Sequence, residues 1–138
     1  MTGVQAHDLL SGLEIVARSS ESMVTWALAL GAASVVAIVS TSYFRPSAVR
    51  MRLAYLMFLP GWVLLGASIV IGNNIARRWL AAQFVNDAQA HVIADLINRD
   101  YLYQQNTLMW GLAVFAAWLV MYLMWWIFSA DLDKHTKR

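Results

Sequence analysis

Gln83, Asp87, His91, Asp95 and Arg99 stand four residues apart. On a helix that spacing gathers them along one face. Asp87, His91 and Asp95 would then offer three metal ligands, or a ring of acids at a pore mouth if copies surround an axis. Asp95 and Arg99 equally suit an i, i+4 ion pair. A helix with an apolar face needs a polar one opposite, so a solvated stripe is the simpler account. A zinc helix would show H-E-x-x-H, which the sequence lacks. A second charged group closes an apolar run in SIVIGNNIARRWLAAQ, residues 68–83. Here Arg77, Arg78 and Trp79 read as an interfacial anchor: the cations hold lipid phosphates or nearby acids, and the indole sits at headgroup level.

The rest of the reactive inventory is sparse. The chain has no cysteine, so thiol chemistry and disulfides are excluded. His7, His91 and His135 all lie outside the long apolar runs, which contain no Asp, Glu, Lys, Arg or His. Intramembrane proton relays, a Schiff-base lysine and haem-ligating histidines inside those runs are therefore excluded. No P-loop, G-x-S-x-G or framed carboxylate pair is present. The chain is expected to be neither an enzyme nor a cofactor carrier. Its net charge of +2 forms no basic stripe, so nucleic acid is not an expected partner.

These residues must be positioned by helices in lipid. Sixty per cent of the 138 residues are hydrophobic and 13% are charged, half the charged share of a soluble domain. The apolar residues concentrate in residues 23–44, 53–72 and 108–128, each about the 20 residues that cross a bilayer as a helix. Residues 4–18 place Ala6, Leu9, Leu10, Leu13, Val16 and Ala17 on one helical face, and His7, Asp8, Ser11, Glu14 and Arg18 on the other. Residues 1–22 are thus an amphipathic N-terminal helix and, lacking a cationic start, not a signal peptide. Residues 73–107 are too long for a structureless loop. Leu80, Phe84, Ala88, Val92 and Leu96 recur every four residues, with Ile93 and Ile97 beside them. This pattern predicts a helical extramembrane hairpin turning near Asn98 to Asn106, its apolar stripe covered by the N-terminal helix or another chain. The fold class is all-α: a single polytopic membrane domain of three transmembrane helices, the N-terminal helix, the hairpin and a basic tail at 129–138.

Orientation follows from the cations. Arg45, Arg50, Arg52, Lys134, Lys137 and Arg138 fall on one side, and Arg18, Arg77, Arg78 and Arg99 on the other. The positive-inside rule puts the N-terminus outside and the C-terminus in the cytoplasm of a bacterial inner or plasma membrane. Trp26, Trp79, Tyr101, Tyr103 and Trp110 are expected at the outer interface, and Tyr43, Phe44, Tyr55, Trp125 and Trp126 at the inner one.

Within the spans, Thr25, Ala29, Ala33, Ala37 and Thr41 form a small-residue seam at four-residue spacing. Such a seam suits close helix packing or a narrow pore lining. Pro60 and Gly61 suggest a kink or hinge near the middle of span 2, and Ser68 and Gly72 a second small pair. Trp118, Tyr122, Trp125 and Trp126 give span 3 a bulky aromatic surface, facing lipid or another subunit. The expected function is a structural or accessory subunit of a membrane assembly, held by lipid and by homo- or hetero-oligomeric contacts. The alternative is a homo-oligomeric ion channel or pore, holin-like or channel-like, with span 1 lining the path.

Overall fold

The chain has only two prolines, Pro46 and Pro60, so nothing between residues 3 and 41 or after residue 60 forces a helix to break. A computed structural model describes residues 3–41, 55–85 and 87–135, with side chains placed for residues 10–40, 56–85, 89–125, 127 and 128. Three helices account for nearly all of it: α1 (Gly3–Thr41), α2 (Phe58–Ala82), entered through a 3-10 turn at Tyr55–Met57, and α3 (Asp87–His135). Each is long and apolar enough to cross a membrane.

Two boundaries differ from the sequence expectation. The N-terminal amphipathic segment and span 1 are one continuous helix of 39 residues. The hairpin turns at Gln83–Val85 rather than near Asn98 to Asn106, and α3 runs unbroken for 49 residues, taking in much of the expected tail. The turn is tightened by Gln83 N–H donating to Leu80 O and Phe84 N–H to Ala81 O. Within residues 98–106 the helix continues, and three of its polar side chains bond across to the other helices: Asp100 pairs with Arg78, Tyr101 with Ser19 and Gln104 with Ser20.

The helices pack with a seven-residue period. In α1 the buried positions are Leu13, Ser20, Ala27 and Ser34; in α3 they are Ile97, Gln104, Gly111 and Trp118. In α2 two such lines run side by side, Phe58–Leu65–Gly72 and Gly61–Ser68–Ile75–Ala82. A seven-residue repeat drifts only about 20° per step, which a left-handed supercoil absorbs, so the same stripes face inward throughout. The layers differ in chemistry. Leu13, Ile75, Ala82 and Ile97 form an apolar cluster near the turn end. Ser20, Ser68, Gly72 and Gln104 make a polar layer. Leu65 then lies against Gly111. At the far end Phe58 and Trp118 pack with Ala37, Ile38 and Phe115.

Leu13 of α1 is buried in the cluster with Ile75, Ala82 and Ile97, and Val16 packs against it. The four-residue series 80, 84, 88, 92, 96 does not act as one face. Leu80 and Phe84 lie before or in the turn and Val92 after it, and all three are exposed. Four-residue steps rotate about 40° past a full turn each time, so such a series leaves the packed stripe within a few steps.

Candidate functional site: a polar clasp beneath an open groove

Gln104 is fully buried one heptad beyond Ile97, where α3 faces both other helices. Ser20 Oγ–H donates to Gln104 Oε1 at 2.7 Å, and Gln104 Nε2–H donates to the Ser20 carbonyl at 3.1 Å. Ser68 Oγ–H on α2 reaches the Gln104 carbonyl at 3.4 Å. The layer closes only because residue 72 is glycine. A Cβ there would stand 2.6 Å from Gln104 Nε2 and 2.5 Å from Val24 Cγ2. One turn toward the α2–α3 turn, Ser19 Oγ and Tyr101 Oη share a hydrogen bond of 2.9 Å. Arg78, reaching from α2, pairs with Asp100 and donates to the Leu96 carbonyl at 3.4 Å.

Ser20 and Gly72 also floor a groove of about 590 Å³ between α1 and α2. Its α1 wall carries Glu14, Arg18 and Glu21, and its α2 wall carries Asn73 and Trp79. Arg18 Nη2 donates to Glu14 Oε1 at 2.7 Å, an i, i+4 pair. Among the described residues Glu21 has no ion-pair partner. A smaller recess of about 270 Å³ continues past Glu14 and Trp79 to Leu10 and Gln83.

The sequence candidates are distributed unevenly around this site. Arg78 is a tie between α2 and α3 through Asp100, while Arg77 is exposed. Trp79 packs against the Leu13–Ile75–Ala82–Ile97 cluster and walls the groove, so the free interfacial anchor gives way to a packed one. Trp26 and Trp110 are the indoles that face outward, 66% and 64% exposed, in the register that joins Ser20 to Gln104.

Pro60 is no mid-helix hinge. It lies in the first turn of α2, where its missing N–H breaks no helical bond, and Gly61 is there to admit the Phe115 ring, whose Cζ would be 2.8 Å from an added Cβ. Thr25, Ala29 and Ala33 are exposed and Ala37 is half-buried, so the seam is not what packs α1 into the bundle. The Thr41 and Asp87 side chains, Tyr43, Phe44, the Tyr55 and Trp126 side chains, the 45–52 connection and the tail cations lie outside the described side chains. His91 and Asp95 are exposed, and no three-residue metal cluster occurs among the described residues.

At the other end Phe58 meets Trp118 edge-on, with ring centroids 4.7 Å apart, and Trp118 stacks on Tyr122 at 5.4 Å. Trp62 Nε1–H bridges to Ser34 Oγ at 2.8 Å. Pattern reading missed the clasp because Gln104 was assigned to the hairpin turn; its seven-residue distance from Ile97 and Gly111 was the available signal. The chain matches no family model, no curated protein and no solved structure.

Proposed function

We propose that this chain is a non-enzymatic integral membrane subunit that packs through its helices into a larger membrane assembly. Charge is absent from residues 22–41 of α1, 58–76 of α2 and 101–130 of α3. The α1 stretch alone spans about 30 Å, one hydrocarbon thickness. The start of α1, the α2–α3 turn and the start of α3 then form a head outside the hydrocarbon. The carrying observation is that this head leaves large apolar side chains uncovered: Ile15, Phe84 and Val92 are 70%, 86% and 61% exposed. A head in water needs a partner over such groups. Ile75, Ile97, Gln104, Ser20 and Ser68 are fully enclosed in the bundle. The cation balance supports an orientation with the head on the outer side and the C-terminus in the cytoplasm.

Purification from native membrane in mild detergent tests this. A membrane protein should co-purify at fixed stoichiometry and be lost from a Phe84→Ser, Val92→Ser variant. Recovery of the bare chain alone would end the subunit reading. One observation favours a second reading, a homo-oligomeric pore: Thr25, Ala29 and Ala33 face outward on α1, open to another copy. A ring of copies could then place these small residues around a shared path. A discrete homomeric ring passing ions in liposomes would support that reading.

A further inference from the structure

The groove between α1 and α2 sits where charge stops on α1, and its walls are chemically lopsided. Glu14 and Arg18 neutralise each other. Glu21 on α1 and Asn73 on α2 both line the groove, and Glu21 leaves the lining with one net negative charge. That favours a cation, and two oxygen acceptors on opposite walls favour one that donates N–H bonds. Arg18 lies one helical turn nearer the start of α1 and turns its guanidinium to Glu14. The primary ammonium of a lipid headgroup would satisfy the carboxylate and the amide oxygen together.

On the membrane reading proposed above, heptad spacing carries the same two helix faces from the groove toward the middle of the bilayer. Val24 lines its floor; one heptad further, Leu28 and Gly31 on α1 face the same side, with Gly66 and Ile69 on α2. A Cβ at Gly31 or Gly66 would meet nothing within 4 Å. The path ends where Trp62 bonds across to Ser34. From Glu21 to Ser34 is about 20 Å along α1, the scale of a lipid chain in one leaflet.

We infer that this groove is a binding site for a phosphatidylethanolamine molecule, its ammonium on Glu21 and Asn73 and an acyl chain along Gly31 and Gly66. A choline headgroup fits less well because a quaternary ammonium cannot donate, and a glycerol headgroup supplies no cation. The test uses the full chain in phosphatidylcholine nanodiscs doped equally with phosphatidylethanolamine and phosphatidylglycerol, followed by native mass spectrometry of retained lipid. One phosphatidylethanolamine per chain should be kept preferentially. Glu21→Gln should cut that preference by about two- to fivefold, the size of one partly exposed charge pair. Gly66→Leu, which fills open space, should reduce retention of every lipid without lowering the unfolding temperature. Equal retention of the headgroups by the unaltered chain, or a preference that survives Glu21→Gln, would overturn the assignment. Lipid retention unchanged by Gly66→Leu would overturn the acyl path.

Discussion

Both polar ends of the Gln104 side chain close on Ser20, the amide oxygen accepting from its hydroxyl and the amide nitrogen donating to its carbonyl. The two residues are 84 positions apart and lie on parallel helices. Shifting α1 against α3 by one residue would break both bonds and leave two buried polar groups without partners. The clasp therefore fixes register, which an apolar layer of similar size does not do.

Replacing Gln104 by Leu should destabilise the bundle by about 1–3 kcal/mol, because the Ser20 hydroxyl loses its acceptor in a closed site. The double variant Ser20→Ala, Gln104→Leu should recover part of that loss, giving a coupling energy of about 0.5–3 kcal/mol in detergent unfolding measurements. Strictly additive effects would show that the two residues do not act together.

Two glycines on α2 should respond oppositely to the same change. Gly72→Ala drives a methyl into Val24 and Gln104 and should cost about 1–3 kcal/mol. Gly66→Ala meets open space and should stabilise by about 0.5–1 kcal/mol through helix propensity alone. Unfolding temperatures that fall together would contradict the packing described here.

The contrast shows how far the sequence carried the fold. Three charge-free runs were enough for three membrane-length helices, because hydrophobic length is a property of composition. The burial of Leu13 was legible too, since it falls on the apolar face read for residues 4–18. Packing faces were not. The four-residue series through Thr25, Ala29 and Ala33 caught attention by residue type, yet burial follows Leu13, Ser20, Ala27 and Ser34. That series mixes Leu, Ser and Ala, so hydrophobicity alone does not reveal it. Asp100 and Gln104 looked like turn residues because a polar residue in one strip of sequence does not disclose a partner on another helix. Pro60 looked central only while span 2 was taken to begin at residue 53.

Arg77 and Arg78 are adjacent but should behave differently. Arg78 joins Asp100 and the Leu96 carbonyl, and the paired side chains are 35% and 15% exposed. Arg78→Met should cost about 1 kcal/mol, the upper range for a pair still reached by solvent. Arg77→Met should stay within about 0.5 kcal/mol of the unaltered chain, as exposed substitutions do. Paired thermal unfolding of the two variants decides the matter; equal losses would mean that the Asp100 tie contributes nothing.

The absence of native cysteine makes depth and orientation directly measurable, since every introduced thiol reports alone. Ile15→Cys and Arg77→Cys belong to the same end of the bundle and should react with an impermeant thiol reagent from the same side of intact cells. Val36→Cys, exposed on the bundle but within the charge-free stretch, should stay unreactive because a thiol in hydrocarbon is neither ionised nor reached by the reagent. Reaction of Val36→Cys from either side would remove this stretch from the membrane. Reaction of Ile15→Cys and Arg77→Cys only after the cytoplasm is opened would invert the orientation and leave the helix packing untouched. The six cations at the other end would then face outward, against the bias that positive charge imposes on insertion.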